Sequence, residues 1–213
     1  MVVIAGTGTD VGKTWVAARL LRTLRAQGRQ VAARKPAQSY DPGDDAAWRD
    51  AAVLGAASGE TPEAVCPPHR WYAVAMAPPM AAEALGRPPF GIGDLTAEVR
   101  WPDQGPVDVG LVETAGGVRS PLAADGDGVS LATALGPDLV VLVADAGLGT
   151  INAVRLSAEA LAEVTAPLVV VLNRFDPASD LHARNGAWLA AHGGWPVLTL
   201  PGGEEELSAL VAG

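Results

Sequence analysis

Cysteine is all but absent: Cys66 stands alone, so no disulfide can close within the chain. A lone thiol suits a reducing compartment. Its setting, Val65-Cys66-Pro67-Pro68, offers no His–Asp arrangement that would make it a nucleophile, and it is read as structural. Histidine is scarce too. His69, His182 and His192 lie outside every motif described below and read as surface or loop residues rather than catalysts. Positive charge is outweighed: 15 lysines and arginines face 24 aspartates and glutamates, a formal charge of −9. Such a chain repels nucleic acid and anionic lipid in bulk, so neither is an expected partner, and an anionic substrate would need local cations. No apolar run approaches the length that spans a bilayer, so no membrane association is expected. The first residues lack a basic region followed by an apolar one. No secretory leader is therefore expected, and the location read from the sequence is cytoplasmic.

What is present suffices for a core. The 213 residues are 49% hydrophobic. That fits one globular domain over residues 1–213, stable without disulfides or structural metal. Short valine-rich runs alternate with longer amphipathic segments. Residues 2–5 read as a strand. Residues 12–26 read as a helix with Val16, Ala17, Leu20, Leu21 and Leu24 on one face and Gly28 as its stop. A second strand is expected over 30–35, ended by Pro36. Helices are expected over 44–58, 80–85, 95–100 and 151–164. Further strands are expected over 107–113, 139–144, 168–172 and 197–200, with a short helix after the last. Continuous apolar strands are the mark of a sheet covered on both faces. The expected fold is therefore α/β, with three αβα layers around a mainly parallel sheet.

The strongest motif is Gly6-Thr7-Gly8-Thr9-Asp10-Val11-Gly12-Lys13-Thr14, between the first strand and the first helix. Glycines let backbone N–H groups approach phosphates, and the helix start adds partial positive charge. Lys13 would neutralise the β- and γ-phosphates, and the Thr14 hydroxyl would ligate Mg2+. Thr7 stands where the usual pattern has its first glycine. A P-loop NTPase-like fold follows from this loop in this place. Magnesium on a nucleotide needs further hard oxygen ligands. Glu113 and Asp145 both end buried strands, where open α/β sheets place their sites, and Asp50, Asp44 and Asp45 begin a helix. The residues alone do not rank these pairs.

Several motifs together resemble the dethiobiotin synthetase family. Besides the phosphate loop they are Lys35-Pro36-Ala37-Gln38-Ser39-Tyr40, Val112-Glu113-Thr114-Ala115-Gly116-Gly117, Leu148-Gly149-Thr150-Ile151-Asn152 and the strand-end Asn173. They fall in the family's order across nearly the whole chain. Thr7 is the family's own variant. The departures are Gly8 for aspartate and Thr114 for glycine. The resemblance implies that Thr9, Asp10, Val11, Gly12, Lys13 and Thr14 hold the nucleotide's phosphates. It implies that Thr14, Asp50 and Glu113 hold Mg2+, and that Lys13 and Lys35 act on the reacting carbamate and γ-phosphate. Ser39 would contact substrate. Glu113, Thr114, Ala115 and Gly116 would lie near nucleotide and diamine, Asn173 and Arg174 at the base, and Pro201, Gly202 and Gly203 beside the adenine. The family works as a homodimer, in which Gly149, Thr150, Ile151 and Asn152 of one subunit cap the substrate's carboxylate tail in the other. The implied reaction joins 7,8-diaminopelargonic acid and CO2 or bicarbonate, with ATP and Mg2+, into dethiobiotin.

The chemistry asks for such residues. A carbamate and a γ-phosphate are both anionic, and cations between them permit their approach. No protein general base stands out. Residues 76–80, Met-Ala-Pro-Pro-Met, could line an aliphatic substrate or simply pack a helix start. Asn173-Arg174-Phe175-Asp176 resembles the base-reading motif of GTPases, though Asp176-Pro177 is equally a turn. A ParA/MinD-like regulatory ATPase is the alternative, and positions 6–9 lack the second lysine such proteins carry. An amidotransferase-type synthetase would need a glutaminase domain with a reactive cysteine.

Overall fold

A computed structural model describes residues 1–103 and 105–213. The elements run β1 Val2–Gly6, α1 Lys13–Ala26, β2 Val31–Arg34, β3 Gln38–Ser39, α2 Asp50–Ser58, α3 Pro62–Val65, β4 Trp71–Tyr72, α4 Pro78–Ala84 and α5 Ile92–Glu98. They continue with β5 Val109–Glu113, β6 Pro121–Ala123, β7 Gly126–Asp127, α6 Gly128–Leu135, β8 Leu139–Asp145, α7 Thr150–Leu161, β9 Leu168–Asn173, α8 Asp180–His192, β10 Val197–Thr199 and α9 Glu204–Ala212. The main sheet has six parallel strands in the order β10-β9-β8-β1-β5-β2. The strand that feeds the phosphate loop is thus central, and β5 lies between it and β2.

Alternate strand residues feed opposite layers. Val2, Ile4, Leu111, Val141, Val143 and Val171 pack with Val16, Leu20, Leu21 and Leu24 of α1 and Leu54 of α2. Val3, Ala5, Val112, Val140, Leu142 and Val170 pack with Val129, Val154, Ala158 and Leu189 on the other face. Both faces being covered, the strands read as unbroken apolar runs, and the three-layer parallel α/β expectation is met. A third cluster, with Tyr72, Phe90, Leu95, Leu122 and Leu131, holds the irregular segments beside Lys35–Ser39. Among the described residues no helix is long and apolar enough to cross a membrane.

Several boundaries differ from the expectations, each for a local reason. The helix expected over 44–58 is broken. Residues 46–48 form a 3-10 turn capped by Asp45, whose side chain accepts from Ala47 N at 2.9 Å. Arg49 is then extended, and α2 begins at Asp50. Helix α4 starts on Pro78 and Pro79, whose missing N–H groups cost nothing in a first turn. Helix α5 starts earlier than expected, at Ile92, where Asp94 takes the Gly91 N–H at 2.8 Å. Helices α6 and α8 escaped the sequence reading. Helix α8 buries only Asn185 and Leu189, so it shows almost no apolar stripe.

Cys66 is 0% exposed, inside the α1–α2 cluster, and burial pushes its thiol up to about 12. A thiol reagent is therefore expected to leave the native protein unlabelled and to label Cys66 once urea unfolds the chain. Rapid labelling of the native protein would contradict this packing.

Candidate active site

The phosphate loop leaves β1 at Gly6, with Thr7 N bound to Val143 O at 2.9 Å, and enters α1 through two left-handed residues, Asp10 (φ 58) and Gly12 (φ 89). Gly12 has no alternative. A Cβ there would sit 2.1 Å from Asn173 Nδ2, and its φ already disfavours a side chain. Lys13 curls back over Gly6 and donates to Gly8 O at 2.9 Å. Burial, and then the charge of Lys35, lowers the Lys13 ammonium below its ordinary value.

One helical step on, Thr14 Oγ1 lies 2.8 Å from Asp50 Oδ1 and 2.8 Å from Glu113 Oε1. Lys35 follows β2 and is 2% exposed. Its Nζ is 2.7 Å from Asp50 Oδ2, 2.6 Å from Glu113 Oε1 and 3.1 Å from Thr114 O, so its three donors meet three acceptors. Strand order explains the meeting: β5 stands between β1 and β2, so Glu113 emerges between Thr14 and Lys35. Asp50 is delivered by α2, whose start is tied to β3 by the Ala51 N–H donating to Gln38 Oε1 at 3.0 Å.

Burial alone would lower the Lys35 ammonium, but the Asp50 and Glu113 carboxylates hold it above its ordinary value. Burial would raise Asp50, and the charge of Lys35 overrides it, so this carboxyl lies below the usual range. Glu113 is 0% exposed, and burial pushes it up against the pull of Lys35.

These oxygens fit a hard divalent cation. The single Thr14 proton cannot serve both carboxylates at 2.8 Å, and Glu113 Oε2 is buried with no hydrogen-bond partner among the described residues. Acidic, cysteine and histidine side chains alone do not form a group of three among the described residues; the hydroxyl completes this set.

The rival carboxylates are occupied elsewhere. Asp44 accepts from Asp41 N, Asp45 caps its turn, and Asp145 binds Gly147 N and Arg174. At the end of β9, Asn173 is 3% exposed and donates Nδ2–H to Val11 O at 3.0 Å. Arg174, at φ 55, donates to Asp10 O at 2.7 Å and pairs with Asp145 at 3.0 Å. Pro201, Gly202 and Gly203 lie alongside, since Phe175 N binds Leu200 O and Gly202 N binds Glu204 Oε2. Asp176 forms a turn, accepting from Ala178 N at 2.9 Å. Ser39 Oγ is buried without a hydrogen-bond partner among the described residues. The turn Gly149–Asn152 shares no hydrogen bond with either group of residues among those described. Sequence reasoning gave no role to Gln38, which sits inside the Lys35–Tyr40 motif, or to Asn185, which sits in none, because only the folded chain shows what their amides hold.

The two departures from the motifs are accommodated. A side chain at Gly8 would meet only Val11, at 3.9 Å, so the larger residue usual there is not sterically required or forbidden. Thr114 turns its hydroxyl to Ile4 O at 3.3 Å, so it leaves no orphan and pins β5 to β1. Gly117 lies against the phosphate loop, where a Cβ would come within 3.3 Å of Thr7 O.

A family model described as an AAA domain matches residues 1–201. The ATP-dependent dethiobiotin synthetase BioD of Phenylobacterium zucineum is 37% identical over 206 residues, covering 93% of this chain and 87% of the relative. That of Anaeromyxobacter dehalogenans is 41% identical over 180 residues, covering 83% and 78%. Among solved structures, chloroplast FtsY of Physcomitrella patens aligns with a TM-score of 0.52 at 16% identity, over 92% of this chain and 56% of that one. Apo McdA of Cyanthece aligns at 0.51 and 17% identity, over 98% and 89%. These last two likenesses bear on the fold alone.

Replacing Lys35 by methionine strands the buried Glu113 carboxylate and unpairs the half-exposed Asp50, so urea unfolding of the ligand-free Lys35→Met variant should show a loss of about 3 kcal/mol. Glu113→Gln removes an anion that burial disfavours while Lys35 keeps Asp50 and Thr114 O, so it should unfold no earlier than the parent at pH 7. The sign follows from linkage: a raised folded pKa means that the anion's cost is absent in acid and present at neutral pH. Asp50 works the other way, its contribution being lost as pH falls below the carboxylate range. A parent-like Lys35→Met or a strongly weakened Glu113→Gln would contradict these assignments.

Proposed function

The chain belongs to the family of ATP-dependent dethiobiotin synthetases, and on that footing we propose that it closes the ureido ring of dethiobiotin from 7,8-diaminopelargonic acid, CO2 and ATP. It is an enzyme of the ligase type and uses ATP. The observation that carries the reading is the meeting of Thr14, Lys35, Asp50 and Glu113 beside the phosphate loop.

In the proposed reaction one amine adds to CO2, giving a carbamate and releasing a proton. A carbamate oxygen takes the γ-phosphoryl group, and ADP departs. The second amine attacks the carbonyl carbon of this mixed anhydride. The C–O bond to phosphate breaks, phosphate leaves, and the amine loses its proton as the ring closes. Residues 9–12 cradle the phosphates with backbone N–H groups. Lys13 and Lys35 supply two cations where two anions meet, which water could not do at fixed geometry. Thr14, Asp50 and Glu113 would hold Mg2+, which when bound neutralises charge on the transferring phosphoryl group. Ser39 offers its buried, unpartnered hydroxyl to the substrate. Residues 113–116 lie between nucleotide and diamine. Asn173, Arg174 and Pro201–Gly203 flank the base.

The reading includes a homodimer acting in the cytoplasm, with residues 1–213 as one domain. Gly149–Asn152 of one subunit would cap the substrate carboxylate of the other. In support, Leu148 on this turn is 91% exposed and Leu156 on α7 is 61% exposed, apolar surface that a second copy would cover. A ParA/MinD-like switch remains the alternative function, and no lysine at positions 6–9 supports it.

Purified protein with 7,8-diaminopelargonic acid, bicarbonate and MgATP should yield dethiobiotin by mass spectrometry. Lys13→Ala and Lys35→Ala should each lower the rate at least about a hundredfold, the scale on which one positioned charge stabiliser acts. ATP hydrolysis that ignores the diamine and gives no dethiobiotin would overturn the proposal in favour of the switch.

A further inference from the structure

Asn185 belongs to no motif, yet its side chain is committed to a single turn. It lies on α8, is 7% exposed, and donates Nδ2–H to Ala146 O at 3.0 Å and Gly147 O at 2.9 Å. An amide nitrogen has two hydrogens, so both are used. From the other side, Asp145 Oδ1 takes the Gly147 N–H at 2.8 Å, and its second oxygen is held by Arg174 at 3.0 Å. The chain is thus pinned at 145–147 before Gly149, at φ 91, swings it into α7.

The peptide unit converts this pinning into a direction. In a trans peptide the C=O and the following N–H point opposite ways. With Gly147 O turned toward Asn185, the Leu148 N–H must point away from α8. The first turn of α7 follows; its Thr150 N–H is taken by Gly147 O at 3.4 Å, while the Ile151 and Asn152 N–H groups have no hydrogen-bond partner among the described residues. Within it Thr150 is 4% exposed, and its Oγ1 is buried with no hydrogen-bond partner among the described residues. Free amides, a helix start and an unused hydroxyl are donors suited to a carboxylate.

We propose that Asn185 is a positioning residue for the substrate's carboxylate: by holding Ala146 O and Gly147 O against α8, it sets how the start of α7 meets that group. This rests on the reading of Gly149–Asn152 as the carboxylate cap. Asn185 touches no reacting atom, so its removal acts on binding of the tail and leaves the chemistry of ring closure alone.

Asn185→Asp keeps the shape and replaces the donor by an oxygen facing two carbonyls. Asn185→Ser keeps one donor and serves if the first variant does not fold. Steady-state kinetics with 7,8-diaminopelargonic acid and with its methyl ester separate the possibilities. Asn185→Asp should raise KM for the acid about tenfold and Asn185→Ser about threefold, with kcat and the KM for ATP within about twofold of the parent. With the ester, both variants should match the parent. Equal losses on acid and ester, or no loss on the acid, would overturn the positioning role. A parent enzyme that treats acid and ester alike would instead overturn the reading of the turn as a carboxylate cap, and the role of Asn185 with it.

Discussion

Lys35 Nζ stands 2.7 Å from Asp50 and 2.6 Å from Glu113, and the Thr14 hydroxyl touches the same two carboxylates. Taking these charges out of water is expensive, and the Lys35 ammonium is what makes the two carboxylates tolerable side by side. The fold is arranged to keep them there. Thr14 comes from the start of α1, Glu113 from the end of β5, Lys35 from the end of β2, and Asp50 from the first turn of α2. The strand order β1-β5-β2 is what lets three of these ends meet. Asp50 depends on a weaker arrangement, the hold of Gln38 on Ala51. A metal–nucleotide complex would bring new cations and anions to the same few ångströms, so the balance that stabilises the resting protein is also what a substrate must enter.

The parallel three-layer fold was legible because its central strands are buried on both faces and so read as valine-rich runs, Leu139–Asp145 and Leu168–Asn173 above all. The phosphate loop was legible because its lysine, threonine and glycines answer to one ligand chemistry. The broken helix before Asp50 was not, since Ala46 and Ala47 favour a helix and only Asp45 capping and an extended Arg49 stop it. Helix α8 was hidden for a similar reason: two buried residues make no stripe. Within the site, Lys35 and Glu113 stood in motifs and Asp50 at an expected helix start, but ranking Asp50 and Glu113 over Asp44, Asp45 and Asp145 needed the resemblance. The fold supplies a geometric reason, because each rival is engaged in a turn. What no pattern could show was the use of side-chain amides as struts.

Those struts join the site into few moving parts. Asn173 reaches from β9 to Val11 O, close enough to Gly12 that only glycine fits. Arg174 reaches from the next residue to Asp10 O and to Asp145. Asp145 and Asn185 hold the turn before α7. The phosphate loop, the end of β9 and the α7 turn are therefore connected by side chains at the ends of β8 and β9 and on α8, not by packing alone. Two of the loop-side residues, Asp10 and Arg174, adopt left-handed backbones that non-glycine residues rarely take. Such strain persists where surrounding bonds enforce it and is concentrated at working sites.

If the cluster around Lys35 brings a carbamate to the γ-phosphate, as proposed, ring closure expels phosphate carrying a carbamate oxygen. Oxygen tracing tests it most directly. With fully 18O-labelled bicarbonate, unlabelled water and ATP, turnover within the time before bicarbonate exchanges should leave 18O in the ureido carbonyl and one 18O in each phosphate released. Labelled dethiobiotin accompanied by unlabelled phosphate would contradict transfer to the carbamate and require another route to the ring.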